Sequence, residues 1–317
     1  MAERVWTIQD LLAWTTDFFR MGGIDTPRLD AEVLLAEVLH RDRMYLYVHF
    51  DEPLEPAELA AFRSYVKERG RHVPIAYILG RREFMGLPFR VTRDTLIPRP
   101  DTEILAQFAV DTLRARASAG MEELRFADIG TGTGAIALSV LNYTEGTRAD
   151  AVDISPEAAA VTAENAAALG LMSRIEILIG DLAVPLLGRS YDMILSNPPY
   201  IPTAEVDTLM EEVRSHEPHL ALDGGADGLC IYRQLMADAP DLLKEGGIIA
   251  VEVGIHEAAD VASLMAAHPR IVRTAMRRDL AGIERVVIGE AGEEEGEKWR
   301  RKFVLLYWRK TLRAPQR

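Results

Sequence analysis

Between Asp101 and about residue 289, short apolar segments alternate with segments of helical periodicity. This alternation predicts a mainly parallel sheet with helices on both faces, because parallel strands need long crossover connections. Only the short segment RRDLAGI separates the last two candidate strands, so we expect an antiparallel edge there. The candidate strands are LRFADI, ADAVDI, IEILIG, YDMILS, GGIIAVEV, RIVRTAM and ERVVIG.

The first 82 residues lack this alternation and predict a small helical domain. Three segments have apolar residues at helical spacing: TIQDLLAWTTDFFRMGG, TPRLDAEVLLAEVLH and EPAELAAFRSYVKERG. A short hairpin, EFMGLPFRV, and a connector, TRDTLIPRPDTE, follow. The predicted organisation is therefore a helical domain (1–82), a hairpin and connector (83–100), an α/β domain (101–289) and a tail (290–317).

The tail changes its charge abruptly. Residues 290–297 carry five acidic residues, whereas residues 298–317 carry eight basic residues and no acidic one. Such charge runs are typical of solvated or disordered extensions. The centre of the basic run, FVLLYW, is apolar, so a short helix or strand that docks on an acidic surface is the alternative prediction.

Charge and cysteine content narrow the class of protein. The net charge is −13, which does not favour long-range attraction to nucleic acid or to an anionic membrane. Cys230 lies in a predicted amphipathic helix, so we expect its side chain to be packed against other residues. It is the single cysteine, so no intrachain disulfide can form, which fits a reducing compartment. We found no secretory signal or membrane-length apolar stretch, and we therefore expect a cytoplasmic protein that does not bind a membrane.

A glycine-rich loop, DIGTGTGAIAL, follows the first candidate strand and opens a helix. The loop contains Gly130, Thr131, Gly132, Thr133 and Gly134, and its glycines allow a tight turn with close approach to a ligand. A loop of this kind is by itself a weak signal. Its spacing is not the G-x-G-x-x-G of dinucleotide sites, and it lacks the lysine of a phosphate-binding loop.

Acidic residues end the next two candidate strands. Asp153 stands 23 residues after Gly130, where a carboxylate can accept hydrogen bonds from two ribose hydroxyls. Asp181 could accept from an exocyclic adenine amine while Leu182 packs on the ring. The alternatives are a helix-capping role for Asp153 and a turn role for Asp181. With the loop, these residues predict a site for a nucleoside without pyrophosphate at the carboxyl edge of the sheet, which indicates S-adenosylmethionine.

The fourth candidate strand ends in Asn197, Pro198, Pro199 and Tyr200. Two prolines cannot continue a strand, because each lacks a backbone N–H. The Asn197 side-chain oxygen and the Pro198 carbonyl could each accept one N–H of a planar NH₂ group, and Tyr200 could stack on that group. This arrangement would hold an amide or amine nitrogen in line with a methyl donor.

These ordered motifs resemble those of the release-factor glutamine methyltransferases of the PrmC/HemK type, over roughly residues 5–289. The matching stretches are LIPRPDTE, DIGTGTGAIAL, AVDISPEA, GD at 180–181, SNPPYI, EPHLALDGGADGLCIYRQL and DLAGIERVV. SNPPY alone is shared with nucleic-acid amine methyltransferases, whereas LIPRPDTE and the long segment after His216 are more specific. The family often has a glutamine after EVG, and EVGIHEAAD has none.

The resemblance implies a Rossmann-like S-adenosylmethionine-dependent methyltransferase domain and a helical N-terminal domain that binds the substrate. That substrate would be a class 1 peptide chain release factor, methylated on the side-chain N5 of the glutamine in its Gly-Gly-Gln motif. The residues implied for the cofactor are Gly130–Gly134, Asp153, Leu182 and Asn197, and those implied for the glutamine are Asn197–Tyr200.

Two other functions stay open at this point. One is an adenine or guanine exocyclic-amine methyltransferase, although residues 1–80 carry 9 basic and 13 acidic residues, which does not suit a nucleic-acid docking surface. The other is a non-catalytic S-adenosylmethionine-binding module. We expect no metal, because His216 and His219 flank a proline and are better explained as loop residues. We also expect a monomer.

Overall fold

The computed structural model describes residues 5–292, so residues 293–317 of the predicted tail lie outside the described part. The helices are α1 (Ile8–Met21), α2 (Pro27–Leu39), α3 (Arg43–Val48), α4 (Pro56–Arg69), α5 (Ile75–Leu79), α6 (Glu103–Ser118), α7 (Ala135–Tyr143), α8 (Pro156–Ala168), α9 (Thr203–Val206), α10 (Glu211–His216), α11 (Cys230–Asp238) and α12 (Ala258–Ala267). The strands are β1 (Arg81–Phe84), β2 (Leu87–Arg90), β3 (Arg125–Ile129), β4 (Arg148–Asp153), β5 (Ile175–Ile179), β6 (Tyr191–Ser196), β7 (Leu243–Glu252), β8 (Ile271–Arg278) and β9 (Glu284–Ala291).

The amino-terminal residues form a helical unit, as predicted. The three predicted helices are α1, α2 and α4, and α1 begins with a capping box in which Thr7 and Asp10 satisfy each other's backbone N–H groups. The short helices α3 and α5 were not predicted. They span six and five residues, which is too short for a helical period to be visible in the sequence.

A segment distant in sequence belongs to this helical unit and contacts its buried arginine. The unit includes residues 209–217, which contain α10. Arg69 is 5% exposed, and its guanidinium contacts Asp30 and Glu212, each at 2.7 Å. A buried guanidinium needs such partners because its desolvation is costly. Sequence order alone did not indicate that α10 packs with the helical unit.

The second unit contains a seven-stranded sheet in the order β5-β4-β3-β6-β7-β9-β8. The first five strands in this order are parallel, and β9 is antiparallel to both β7 and β8. The predicted α/β fold and its antiparallel edge are therefore confirmed. Strand β9 continues through Ala291, so the first two residues assigned to the tail lie in the sheet.

Helices cover both faces of the sheet. One apolar cluster joins the sheet to α6 and α7, and a second joins it to α11 and α12. Strand β6 lies between these clusters and all six of its residues are buried, which accounts for its mainly apolar sequence.

The register brings the ends of the parallel strands together. Ile129 at the end of β3 pairs with Val152 on one side and with Ser196 on the other. Ser196 in turn pairs with Val251 of β7. The residues that follow these positions therefore meet at one carboxyl edge, where open α/β sheets bind their ligands.

Candidate active site

A cavity opens at this carboxyl edge within the α/β unit. Nine of the predicted site residues line it, and they come from four separate turns: Gly130, Thr131, Gly132, Thr133, Asp153, Asp181, Leu182, Asn197 and Pro199. Three predicted residues, Gly134, Pro198 and Tyr200, are not among its lining residues. Gly130 and Pro199 are 69 positions apart in the sequence, and the sheet brings both to this cavity.

The three glycines of the loop have two different functions. Gly130, Gly132 and Gly134 adopt φ angles of +76°, +57° and +79°, which other residues rarely tolerate. A Cβ added to Gly130 or Gly132 would meet no atom within 4 Å, so open space remains beside the backbone for a ligand. At Gly134 a Cβ would lie 2.9 Å from Leu138 Cδ1, so this glycine permits close packing at the start of α7.

The Asp153 carboxylate fixes the shape of the loop. Its Oδ2 accepts the Gly132 N–H at 2.8 Å, and its Oδ1 accepts the Ser155 N–H at 3.0 Å. The cap of α8 is Ser155, whose hydroxyl accepts the Ala158 N–H. Each carboxylate oxygen keeps a second lone-pair site, so Asp153 can hold the loop and still accept from a ligand hydroxyl.

Asp128, which the sequence reasoning missed, supports the loop from inside the protein. Its side chain is fully buried, and its Oδ2 accepts the Thr131 hydroxyl at 2.8 Å and the Ala137 N–H at 3.2 Å. Burial, with a smaller contribution from the Asp153 charge, raises the pKa of Asp128 to about 7. The aspartate that opens the DIGTGTG motif was the available signal.

Apolar side chains border the part of the cavity near Asp181. Leu182 and Ile154 both line the cavity, and Ile154 is 50% exposed. Leu182 has a φ of +43°, a conformation that a branched side chain adopts only at a cost. Two apolar side chains beside a carboxylate suit a flat ring that carries an amino group.

The Asn197 side chain is held at its nitrogen. Its Nδ2 donates to Thr102 Oγ1 at 3.2 Å, and the side chains of Asn197 and Thr102 both lower the pKa of the neighbouring Glu252 carboxyl group. Because the amide nitrogen has Thr102 as its partner, Oδ1 is the atom of Asn197 that is available to accept from a ligand.

A glycine-rich segment holds the backbone of the Asn-Pro-Pro-Tyr turn. Ile201 N–H donates to the Leu222 carbonyl at 3.0 Å, and Gly224 N–H donates to the Ile201 carbonyl at 2.8 Å. A Cβ at Gly224 would lie 2.7 Å from Tyr200 Cα, and one at Gly228 would lie 2.4 Å from the Tyr200 carbonyl oxygen. These glycines are therefore required by close approach of two backbones.

The Tyr200 ring is half-buried against the core on one face of the sheet. Burial, together with the nearby Glu252 charge, raises the pKa of the Tyr200 hydroxyl well above its usual range. The phenol is therefore neutral at physiological pH.

The connector contributes more to the cavity than the sequence indicated. Leu96, Pro98, Arg99 and Thr102 all line it, although this segment was predicted only as a link between domains. Proline-rich connectors give no periodic signal, so only the resemblance pointed to LIPRPDTE.

Neither histidine of the HEPH sequence is placed as a metal ligand. His216 Nε2 lies 3.0 Å from the Arg71 carbonyl oxygen, and His219 lies 3.9 Å from the Asp223 carboxylate. Within residues 5–292 no group of three or more side chains is arranged to hold a metal ion. Cys230 is half-buried at the start of α11.

No helix between residues 5 and 292 is long and apolar enough to cross a membrane.

Comparisons with known proteins agree with this geometry. Residues 10–80 match the family model of the PrmC N-terminal domain, and residues 104–226 match that of the methyltransferase small domain. The catalytic domain of hMettl16, solved in complex with the MAT2A 3′UTR hairpin 6, has a TM-score of 0.51 with 13% identity. That alignment covers 77% of this chain and 86% of the other, and it supports the fold alone.

Curated relatives identify the family. A release factor glutamine methyltransferase from Geobacter sulfurreducens is 42% identical over 91% of this chain and 98% of its own length. Another from Moorella thermoacetica is 40% identical over 91% of this chain and 100% of its own length. Similarity at this level over nearly the whole of both chains confirms the predicted resemblance, and the chain belongs to the release factor glutamine methyltransferase family.

Proposed function

We propose that this protein transfers a methyl group from S-adenosylmethionine to the side-chain N5 of the glutamine in the Gly-Gly-Gln motif of class 1 peptide chain release factors. The observation that carries the proposal is the Asn197 side chain, which lines the cavity and donates from its nitrogen to Thr102 Oγ1, so that its oxygen is left as the acceptor. Family membership supplies the substrate class.

The residues around the loop fit the cofactor. The open space beside Gly130 and Gly132 admits a ligand against the backbone, and Asp153 has lone pairs left for two ribose hydroxyls. Asp181 and Leu182 suit the adenine amine and ring. When bound there, the cofactor supplies an electrophilic methyl group on a positively charged sulfur.

The Asn-Pro-Pro-Tyr turn suits a planar nitrogen. An amide nitrogen is a poor nucleophile because its lone pair is delocalised into the carbonyl group. Acceptance of its two N–H groups by Asn197 Oδ1 and the Pro198 carbonyl would fix the nitrogen and stabilise the positive charge that develops during transfer. The proton can leave after the transfer, so the scheme requires no strong base.

Stiffness of the turn is part of the proposal. Pro198 and Pro199 restrict the backbone of the turn, and the close approach of Gly224 and Gly228 to the Tyr200 backbone restricts its end. The acceptor positions are therefore set before the substrate binds, and little entropy is lost at the moment of reaction. Tyr200 would stack on the flat amide of the glutamine.

The helical domain, residues 1–82, is proposed to bind the release factor, and the protein is proposed to act as a cytoplasmic monomer. A nucleic-acid amine is the second candidate substrate, since its NH₂ group would satisfy the same two acceptors. The excess of acidic residues in residues 1–80, 13 against 9 basic ones, argues against a phosphate-binding surface there.

The test is to incubate the protein with S-adenosylmethionine carrying a labelled methyl group. Release factor, ribosomal RNA and DNA are offered in separate reactions at equal concentration. The proposal expects label in the release factor and none above background in either nucleic acid. Label in a nucleic acid alone would replace the proposal with the second candidate.

A further inference from the structure

Glu252 is a buried acid beside the proposed acceptor. Strand β6 ends at Ser196, which pairs with Val251, so the next residues on the two strands, Asn197 and Glu252, are neighbours. Glu252 is 3% exposed. Acids are almost never buried to this degree without a partner, because desolvation of the charge is costly.

The carboxyl group lies beside both members of a hydrogen-bonded pair. Asn197 Nδ2 donates to Thr102 Oγ1 at 3.2 Å, and the side chains of Asn197 and Thr102 both lower the pKa of Glu252, as donors near an ionised carboxylate do. Glu252 Oε2 has no hydrogen-bond partner among the described residues. Glu252 can therefore still accept a hydrogen bond at this oxygen.

The protonation state of Glu252 decides what it can do to Asn197. An ionised carboxylate only accepts, so it can bond the Asn197 NH₂ group and never its oxygen. A protonated carboxyl group can donate to Asn197 Oδ1 instead, which would let the amide flip. A flipped amide would present N–H groups to a substrate NH₂ group, and that contact is repulsive.

We propose that Glu252, acting with Thr102, is a positioning residue that holds the Asn197 amide with Oδ1 towards the target nitrogen. This inference rests on the proposed function, because it assigns the group that prepares the acceptor for methyl transfer. Glu252 itself would not touch the substrate.

Charged and titratable groups around Glu252 set the pH range of this effect. Burial and the Asp101 charge raise the pKa of Glu252 to about 7, although Thr102, Arg285 and Asn197 oppose them. Tyr200 and Tyr232 also face it, and burial raises the pKa of both hydroxyls, so neither carries a charge near neutral pH. Glu252 is thus protonated below about pH 7 and ionised above it. The kcat for methyl transfer should accordingly rise with pH through this value.

The test compares Glu252→Gln with Glu257→Gln. Glu257 is a matched control because its pKa is also raised to about 7, yet its carboxylate accepts the Gly254 N–H at 2.9 Å. Glu252→Gln should lower kcat about tenfold, since a charge-assisted hydrogen bond becomes a neutral one. It should also abolish the rise of kcat near pH 7, while KM for release factor and affinity for S-adenosylmethionine stay as in the wild type. Glu257→Gln should keep both kcat and the pH profile.

Thr102→Val is the second variant, because it removes the hydroxyl that accepts from Asn197 Nδ2 and changes the size of the side chain very little. It should lower kcat by a similar factor with KM unchanged, and it decides the question if Glu252→Gln does not fold. Wild-type kcat and pH profile in Glu252→Gln, or an equal loss of cofactor affinity, would overturn the inference. A wild-type protein that does not methylate release factor would instead overturn the proposed function.

Discussion

Replacement of Asn197 by alanine separates chemistry from binding at the proposed active site. The change removes Oδ1, one of two proposed acceptors for the target NH₂ group, and leaves the Pro198 carbonyl in place. Loss of one preorganised dipole of this kind typically lowers kcat by about 10²–10³-fold, or about 3–4 kcal/mol. The full orientation effect of about 7–11 kcal/mol should not be lost, because half of the acceptor pair remains.

Cofactor affinity should respond much less to the same change. The loop contacts of Asp153 with Gly132 and Ser155 do not involve Asn197. Loss of at most one hydrogen bond to the cofactor would weaken binding by no more than about tenfold. Asn197→Ala is therefore expected to lower the rate of methyl transfer much more than the affinity for S-adenosylmethionine.

The assay is single-turnover methyl transfer to release factor, with calorimetry for S-adenosylmethionine affinity. Gln234→Ala is a suitable control, because it truncates an exposed amide side chain on α11 and should leave both quantities unchanged. Near-normal turnover in a folded Asn197→Ala protein would refute the reasoning. A fall in transfer matched by an equal fall in cofactor affinity would refute it as well.

Three further predictions concern the loop and the turn. Asp153→Ala should weaken S-adenosylmethionine binding by about 1–3 kcal/mol, and unchanged affinity by calorimetry would remove the ribose assignment. Tyr200→Phe should lower methyl transfer less than Tyr200→Ala, because stacking needs the ring and not the hydroxyl; equal losses in the two variants would contradict this. Gly224→Ala would place a Cβ 2.7 Å from Tyr200 Cα, and it should lower stability to denaturant by about 1–3 kcal/mol, whereas wild-type stability would show that the turn can move.

The sequence predicted the parallel part of the fold because apolar strands and helical periods are local signals. All seven strands of the large sheet appear where the apolar segments stand, and RRDLAGI joins two antiparallel strands. Residues 209–217 belong to the helical unit, where Glu212 contacts Arg69, and these two residues lie far apart in sequence. No local pattern reports such a contact.

The candidate site could be predicted where a residue type determines the backbone conformation. The glycines of the loop permit positive φ angles, and the prolines of the turn restrict φ. Asp128, Thr102 and Glu252 were not singled out. Asp128 acts through local hydrogen bonds to Thr131 and Ala137, which the glycine pattern of the motif does not reveal. Thr102 and Glu252 lie far from Asn197 in sequence, and only the fold brings them near it. Glu252 is the last residue of an apolar strand, where an acidic residue is common and indicates no function by itself.

The measurement that tests the central claim most directly is to locate the methyl group by tandem mass spectrometry after the reaction with release factor. The account predicts one methyl group on the side-chain amide of the Gly-Gly-Gln glutamine. It also predicts loss of transfer when that glutamine is changed to asparagine, because the shorter side chain withdraws the nitrogen from the two acceptors. A methyl group on another residue, or undiminished transfer to the asparagine variant, would contradict the account.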